Sequence, residues 1–410
     1  MPEAFSGASD FVVVGAGLAG AATAWQLAAR GHQVTILERN VPASHDGSSH
    51  GSARIFRYAY PDPFYTRAVV ESVGLWDGLS AACGTPLITP FGAVDYGPER
   101  NPRLLASVLA GQGIEHELLS AADARARWPQ IAFDTDVLWH PGAGVIDAEG
   151  AVNATVSLAV EHGARLLAGW ELQSVERTGA GYRLHSTTGQ THDAGNVVIS
   201  AGGWLPALLG SLSLPTGFLA GLPEVTVRQE QAFHFKYRDH APADHAPKDH
   251  APADHASKDD DGGAAPGAGG WPTFIHKAAD IQAYGLPGGR DAGFAGQKVA
   301  EYNGGKLIPS AARQTGKVDP ANRRRVVDYV QRYLPGLDPK PYAETTCLFT
   351  NTPNEDFLID RVDNLTIVSP CSGHGAKFAP LIGQWAADLA DGSGGVPDRF
   401  RTASPAAVTT

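Results

Sequence analysis

A glycine-rich turn between two apolar stretches constrains the fold of this chain most strongly. Residues 11–14 read FVVV, which is typical of a buried parallel strand. The turn GAGLAG follows at 15–20, and residues 21–30 are rich in helix formers and end before Gly31. A second apolar stretch at 33–37 leads into Glu38. This order of strand, glycine turn, helix, strand and acid predicts a βαβ unit that binds a dinucleotide.

Each position of this motif has a physical role. Gly15 permits the tight turn, Gly17 lets the backbone approach a pyrophosphate, and Gly20 lets the helix pack on the strand. The N–H groups at the helix N-terminus then face the phosphates. Glu38 is placed to accept a hydrogen bond from a ribose 2′-OH. The motif alone does not distinguish FAD from NAD.

Two later segments favour FAD. Residues 196–204 read NVVISAGGW, a further buried strand that ends in glycines. Residues 365–368 read LTIV, and SGHGAKF at 372–378 leads into an amphipathic helix from Pro380. A nucleotide domain completed near the C-terminus suits the longer cofactor, because the far end of the fold must reach the flavin ring. A helix N-terminus there would stabilise the negative charge of the reduced flavin.

Charge and composition exclude several classes of protein. The 32 Lys and Arg residues against 43 Asp and Glu residues give a net charge of −11, which argues against a nucleic-acid or anionic-membrane binder. The longest apolar stretches are about ten residues, shorter than the ~20 that a membrane-spanning helix needs. The first ten residues lack the basic start of a signal peptide. Three cysteines are too few for a disulfide framework, so we expect a reducing cytoplasm.

Residues 239–270 break the globular pattern. They contain the repeats DHAPA, DHAPK, DHAPA and DHASK, followed by a stretch rich in glycine and alanine. No apolar face can form there, so the sequence predicts a disordered, solvated insertion. Its histidines leave a weak metal-binding tract as the alternative. We favour repeat expansion in a surface loop, because no single geometry is imposed on the ligands, and we predict no metal site.

Three further blocks carry a family resemblance. They read GSSHGSARIFRYAY at 47–60, then YGLP at 284–287 with GQKVA at 296–300, then TCLFTNTPNEDFLID at 346–360 with GHGAKF at 373–378. In this order they resemble the monomeric sarcosine oxidase family, within the D-amino-acid-oxidase-like flavoproteins. The resemblance covers nearly the whole chain except 239–270.

The resemblance implies a role for each matched position. Cys347 would bond covalently to the flavin 8α carbon, Lys298 would lie over the ring, and Arg57 with Lys377 would bind the substrate carboxylate. The other catalytic residues implied are Arg54 and Tyr284, and Tyr302 is predicted to be catalytic as the residue at the position of the family's substrate-facing histidine. The remaining implied cofactor contacts, beyond the nucleotide motif, are Ser48, His50, Gly373, His374, Gly375 and again Lys377.

Elementary chemistry agrees with these roles. A guanidinium and an ammonium suit a carboxylate, and a lysine over the ring offsets the negative charge that forms as oxygen is reduced. Structural alternatives stay open for several of these residues. Arg57 could pair with a structural acid, Lys298 could be exposed, and Cys347 could be a buried packing residue. His50 could be a core histidine, and the sequence assigns Cys83 and Cys371 to packing.

One position departs from the family pattern. Sarcosine oxidases place a histidine four residues after the strand lysine, where this chain has Tyr302. The turn at 288–293 is also long and rich in glycine. Both changes alter the substrate wall. The alternatives to sarcosine as the substrate are therefore an N-methyl aromatic amino acid, a cyclic imino acid and a fructosyl amino acid.

The predicted fold is α/β, with a Rossmann-like FAD-binding domain interleaved with a mixed, antiparallel-rich substrate domain. The FAD domain would use 1–90, 146–218 and 348–398, and the substrate domain 91–145 and 219–347. The predicted function is an FAD-dependent oxidase of secondary amines, a monomer that acts on a small amino acid or amine with O2. The rivals are a dehydrogenase with a non-oxygen acceptor and a non-catalytic binding protein.

Overall fold

A computed structural model describes residues 6–238 and 270–402. Apart from Gly270, the predicted insertion at 239–270 lies outside the described residues. The strands of the described part are β1 Ser6–Val14, β2 Val34–Glu38, β3 Arg54–Phe56, β4 Ile88–Pro90, β5 Ala93–Tyr96, β6 Glu117–Leu119, β7 Val137–His140, β8 Gly144–Ile146, β9 Arg165–Ala168, β10 Leu172–Thr178, β11 Gly181–Ser186, β12 Thr191–Ile199, β13 Thr226–Tyr237, β14 Thr273–Lys277, β15 Gln282–Pro287, β16 Gly296–Glu301, β17 Lys306–Ile308, β18 Leu337–Asn351, β19 Leu358–Val362 and β20 Leu365–Ser369.

The helices alternate with these strands. In the same ranges the α-helices are α1 Leu18–Ala29, α2 Pro63–Cys83, α3 Pro102–Gly111, α4 Ala121–Arg127, α5 Ala148–Glu161, α6 Leu205–Leu208, α7 Thr216–Gly221, α8 Pro320–Tyr333 and α9 Ala379–Asp391. Short 3-10 turns span Gly202–Trp204, Leu209–Ser211, Arg290–Ala292, Ala311–Arg313, Gly375–Phe378 and Asp398–Phe400.

An eight-stranded sheet contains the predicted nucleotide unit. Its order is β10-β11-β12-β1-β2-β9, and β20 pairs with the second part of β12 and with β19. The strands β12, β1, β2 and β9 run parallel, and β20 runs parallel to β12. Helix α1 connects β1 to β2 and packs against α5 and α9. The predicted Rossmann-like architecture is confirmed.

A nine-stranded sheet forms the other large layer. Its order is β17-β13-β16-β15-β14-β5-β7-β6, and β18 pairs with the other edge of β13. The β14–β5 pair is parallel and the other pairs are antiparallel, as predicted for a mixed, antiparallel-rich sheet. Phe233 and Phe235 of β13 pack with α8 residues in one core. The side chains that alternate with them, including Glu230 and His234, point to the opposite face.

A small third sheet has the order β3-β8-β4. Its strands come from parts of the chain that lie between those of the two large sheets. The eight-stranded sheet takes its strands from 6–38, 165–199 and 358–369, and the nine-stranded sheet from 93–140 and 226–351. The division into two discontinuous domains at the predicted boundaries stays a prediction. Among the helices of the described ranges, none is both long and apolar enough to cross a membrane.

The two ends of the described chain that flank the repeat segment lie close together. The ring of Tyr237, the last residue of β13, stacks on that of Trp271, with centroids 5.7 Å apart. Removing 239–270 and joining Arg238 to Trp271 through a short Gly-Ser linker should therefore preserve the fold. Because a shorter loop costs less entropy to close, we expect an unfolding free energy that is unchanged or about 1–2 kcal/mol higher. Urea unfolding of both proteins measures this. A folded yield or stability well below that of the full chain would show that the segment supports the fold.

Candidate active site

The glycine turn after β1 is too tight for side chains at two positions. Gly15 has a φ of +98°, and a Cβ there would lie 2.4 Å from the carbonyl oxygen of Ser200. A Cβ on Gly20 would lie 1.9 Å from the carbonyl oxygen of Gly15. Helix α1 begins within this turn, at Leu18, whose N–H donates to Ser49 Oγ at 3.1 Å, and its N-cap residue Gly17 has no side chain to cap the other N–H groups of the first turn. Backbone N–H groups are thus presented toward a ligand, as pyrophosphate binding requires.

Glu38 ends β2 beside this turn. Its Oε2 accepts a hydrogen bond from the Ala16 N–H at 2.8 Å, and its Oε1 accepts one from the Asn40 N–H at 2.9 Å. The carboxylate therefore fastens the glycine turn to the end of the neighbouring strand. Each oxygen keeps a further lone pair, so the predicted contact with a ribose hydroxyl remains sterically and chemically available.

A cavity of about 380 Å³ runs from the glycine turn to the nine-stranded sheet. The predicted site residues that line it are Gly15, Gly17, Glu38, Ser48, Arg54, Cys347, Gly373 and Gly375. The first turn of α9 also contributes to the wall, through Ala379 and Ile382. The predicted cofactor contacts Gly20, His50, His374 and Lys377 do not belong to this lining. These residues would fit an extended dinucleotide, which would have its phosphates at α1 and its ring system toward Cys347.

Lys298 lies in the interior of the nine-stranded sheet. Strand β16 is flanked by β13 and β15, and the side chain of Lys298 is only 7% exposed. Its Nζ donates a long hydrogen bond of 3.4 Å to the Ala53 carbonyl. Burial, together with the charge of Arg54, lowers the pKa of Lys298 to about 8. The exposed alternative for this lysine is thereby removed, and an ammonium in this position responds strongly to any added negative charge.

Arg54 holds the segment 48–53 along the cavity. Its guanidinium donates hydrogen bonds to the carbonyl oxygens of Ser48 at 2.9 Å, His50 at 2.8 Å and Ala53 at 2.9 Å. No carboxylate in the described ranges pairs with it. His50 is buried nearby, and burial with the charges of Arg54 and Lys298 lowers its pKa to about 3. The imidazole is therefore neutral near pH 7.

Cys347 lies on β18, directly opposite Glu230 of β13. Its thiol lines the cavity, and burial raises its pKa. Cys371, which the sequence assigned to packing, lines the same cavity because the loop after β20 returns along the wall. Tyr284 of β15 points to the same face of the sheet, where burial and the nearby thiol of Cys347 raise the pKa of its phenol.

Arg57 and Lys377 form a second cationic group. Arg57 lies just beyond the end of β3 (Arg54–Phe56) and has different neighbours from Arg54. The Arg57 guanidinium lies 4.2 Å from the ring centroid of Tyr60 and donates to the Ala59 carbonyl. Lys377 is 4% exposed, lies 5.6 Å from the same ring, and donates to the His374 carbonyl at 2.7 Å.

This second group has little negative charge of its own. Neither Arg57 nor Lys377 forms an ion pair with any described residue. Burial, with the charge of Arg57, lowers the pKa of Lys377 well below its ordinary value. A hydrogen bond of 3.1 Å joins Nδ1 of His374 to the Tyr60 hydroxyl. Burial, with the charge of Lys377, lowers the pKa of His374 to about 3. An anion that enters here would stabilise the charged forms of both cations.

Tyr302 borders the second group. Its hydroxyl donates to Glu355 Oε1 at 2.8 Å and to the Ser372 carbonyl at 3.3 Å. Its ring lies 5.8 Å from that of Phe349, and both rings pack against Gly373, where a Cβ would come within 2.9 Å of each. Tyr302, at the position that departs from the family pattern, thus forms an aromatic wall with Phe349 and is hydrogen-bonded to the Glu355 carboxylate.

Sequence reasoning missed three acids of this region: Glu230, Asp291 and Glu355. Asp291 accepts a hydrogen bond from the Ser52 hydroxyl at 2.6 Å. Burial alone would raise the pKa of Asp291, but the hydrogen bonds from Ser52 and the charge of Lys298 outweigh burial and lower this pKa to about 2. The one local signal was an acid inside the otherwise uncharged stretch QEQAFHF of β13, which flags Glu230. Within 6–238 and 270–402 no group of three or more His, Cys, Asp or Glu residues could hold a metal ion.

Comparisons with known proteins agree with this geometry. Residues 10–389 match the family model described as FAD dependent oxidoreductase, DAO. The chain is 31% identical to monomeric sarcosine oxidase of Streptomyces avermitilis over 392 residues, which cover 93% of both chains. It is 30% identical to peroxisomal sarcosine oxidase of Mus musculus, over 92% of this chain and 90% of that one. N-methyl-L-tryptophan oxidase of Yersinia pestis is 28% identical, over 92% and 94%.

Solved structures agree on the fold. NikD, described as an unusual amino acid oxidase essential for nikkomycin biosynthesis, matches with a TM-score of 0.79 and 24% identity, over 97% of this chain and 98% of that one. L-proline dehydrogenase from P. horikoshii matches with a TM-score of 0.76 and 20% identity, over 97% of both. At these identities the likeness shows the fold alone. The resemblance predicted from the sequence blocks is confirmed: the chain belongs to the DAO family of FAD-dependent oxidoreductases.

Proposed function

We propose that this protein is an oxidase of secondary amines, which acts on N-substituted amino acids of the N-methyl type and passes the electrons to O2. One observation carries the proposal: the buried Lys377 and the half-buried Arg57 lie beside the same Tyr60 ring, and neither has a carboxylate partner in the described chain. Buried charges are costly unless they are paired. The carboxylate of an amino acid would supply the missing partner.

The same two cations also favour the reactive form of the substrate amine. A positive charge beside an ammonium group lowers its pKa, so the neutral amine becomes easier to form. Bound FAD supplies the hydride acceptor for oxidation of the C–N bond. The chain then needs only to orient the substrate and exclude water, and the imine product hydrolyses to an amine and a carbonyl compound.

Lys298 favours an oxidase over a dehydrogenase. Reduction of O2 creates negative charge, and a preorganised ammonium in a buried site stabilises that charge. Lys298 is buried beside Cys347, with a single long hydrogen bond to Ala53. An enzyme that passes electrons to a quinone or a partner protein has no need for an ammonium in this place.

The aromatic wall of Tyr302 and Phe349 favours substrates with a carbon substituent on nitrogen or on the side chain. Two relatives named for sarcosine and one named for N-methyl-L-tryptophan support the N-methyl class. Cyclic imino acids and fructosyl amino acids are the alternatives on the same scaffold. We further propose that FAD is bonded covalently to Cys347, that H2O2 is the product and that the protein is a monomer. We also propose that it works in a reducing cytoplasm, because Cys83, Cys347 and Cys371 form no disulfide.

A substrate panel tests the proposed reaction. We expect purified protein to oxidise N-methyl amino acids, with one H2O2 and one formaldehyde formed per turnover. The matching N-methyl amino amide lacks the carboxylate and should lose at least about tenfold in kcat/KM, the effect of one charge-assisted hydrogen bond. Sarcosine, an N-methyl aromatic amino acid, a cyclic imino acid and a fructosyl amino acid complete the panel. Equal rates for acid and amide, or no oxidation of any member, would contradict the proposal.

Covalent attachment at Cys347 predicts that flavin stays with the denatured protein. Acid-precipitated wild-type protein should keep its yellow colour and show the added mass of FAD on one peptide. A Cys347→Ala variant should bind FAD and release it on precipitation, since the sulfur that forms the bond is gone. A Cys371→Ala variant is the matched control on the same cavity wall and should keep the bond. Release of all FAD from wild-type protein would refute the attachment.

The two buried lysines should affect different half-reactions. Lys377→Met should weaken substrate binding by about 1.5–3 kcal/mol, the value of a charge-assisted hydrogen bond. Lys298→Met should change the rate of anaerobic flavin reduction only by a modest factor but slow reoxidation strongly, because the lysine charge stabilises the negative charge on reduced oxygen. The exposed Lys340→Met is the control. Stopped-flow measurement of each half-reaction decides between the roles, and equal damage by both variants to both steps would argue against this division.

A further inference from the structure

Glu230 is a buried acid whose place in the fold the proposed reaction does not explain. It is 2% exposed, in the middle of β13. Its Oε2 accepts a hydrogen bond from the Gly305 N–H at 3.0 Å. Its Oε1 is also buried, and no described group bonds to it. A buried oxygen left without a partner is costly and indicates either a missing ligand or a chemical role.

The sheet register places this acid opposite the flavin cysteine. In the antiparallel pairing of β13 with β18, Glu230 is the direct partner of Cys347. Side chains of directly opposed residues leave the same face of the sheet, with Cβ atoms about 4.5–5.5 Å apart. That face is the one on which Cys347 lines the cofactor cavity. Cys347 lines the cavity and Glu230 does not, so the acid lies behind the thiol, where its charge acts on it, and no hydrogen bond joins the free oxygen to the sulfur.

The thiol of Cys347 needs a base to react. Burial raises its pKa, so the neutral thiol predominates, and the thiolate is the nucleophilic form. The charged groups that act on it are the cations Arg54 and Lys298 and the single acid Glu230. The Arg54 guanidinium cannot accept the proton, and near pH 7 Lys298, with a pKa of about 8, is mostly an ammonium, which stabilises the thiolate but does not take its proton. Burial raises the pKa of Glu230 to about 7, so its carboxyl group can gain and lose a proton near neutral pH.

We propose that Glu230 is the base that accepts the Cys347 proton when the cofactor becomes covalently attached. This inference rests on the proposed bond between Cys347 and FAD. The S–H bond breaks and the proton moves to the Glu230 carboxylate, while the sulfur electron pair forms a bond to the 8α methyl carbon. That carbon loses one proton, and the two electrons of its C–H bond remain on the ring system. They pass to O2, which leaves as H2O2 with two protons, so the attached cofactor ends in the oxidised form.

A structural role is the competing explanation, because Oε2 also holds the turn at Gly305. Glu230→Gln separates the two roles. The amide oxygen still accepts the Gly305 N–H, but the side chain can no longer take a proton. The matched control is Glu301→Gln. Glu301 borders the same turn through Gly304, but it points to the other face, where it accepts from Asn322 at 2.6 Å and pairs with Arg325.

The experiment measures attachment rather than turnover. Full-length wild-type, Glu230→Gln, Glu301→Gln and Cys347→Ser proteins are incubated with FAD in air, and samples are acid-precipitated over time. The covalent fraction is read by intact mass spectrometry, and total bound FAD by absorbance. We expect Glu230→Gln to bind FAD but attach it about 10²-fold more slowly, as for loss of a general base. Glu301→Gln should attach at the wild-type rate, and Cys347→Ser should never attach.

Attachment by Glu230→Gln at the wild-type rate would overturn the inference and leave the proposed function intact. Release of all FAD from wild-type protein would instead refute the covalent bond itself, and Glu230 would then have no such role. If Glu230→Gln does not fold, Glu230→Asp serves, because it keeps the acid but withdraws it by one methylene. Slower attachment by Glu230→Asp supports the inference, and an unchanged rate contradicts it.

Discussion

Four cations at or beside the cavity, two buried and two half-buried, form no ion pair with any described residue. Lys298 and Arg54 form one group, and Arg57 and Lys377 form the other. Their hydrogen bonds go to backbone carbonyls, which offset only part of the cost of burying a full charge. Each group would therefore be stabilised by an anion from outside the chain. A flavin that becomes negative on reduction and a substrate carboxylate are anions of the required kind.

Three acids near these cations already have partners. Asp291 is held by Ser52, and Glu355 accepts from Tyr302. Asp95 is fully buried and paired with Arg100 and with His140 at 3.1 Å. Because these carboxylates have their own partners, they do not compete with a ligand for the four cations. The structure thus contains two kinds of charged group: carboxylates that already have partners within the chain, and cations that remain available to a ligand.

The sequence predicted what depends on local pattern. The turn at Gly15 and Gly20 follows from steric limits that only glycine meets, and α1 and β2 follow from the residues beside it. The motif blocks placed Cys347 on the cavity, but the sequence could not place Cys371 there. That placement depends on the path of the loop after β20.

Pairings between distant segments were beyond sequence reasoning. Glu230 meets Cys347 only through the register of β13 with β18, and Tyr302 meets Glu355 only when two separate loops close over Gly373. The family resemblance assigned His374 and Lys377 to the cofactor, and Lys377 also to the substrate carboxylate. The structure places both side chains beside Tyr60, in the second cationic group. Their roles toward substrate and cofactor stay predictions.

A crystal structure of the FAD-bound protein with a carboxylic acid analogue of the substrate, one that lacks the amine, tests the account most directly. The account predicts that the carboxylate lies within hydrogen-bond distance of Arg57 and Lys377 and makes no contact with Lys298. A carboxylate bound at Lys298 or Arg54, or an analogue that leaves Arg57 and Lys377 without an anion, would contradict it.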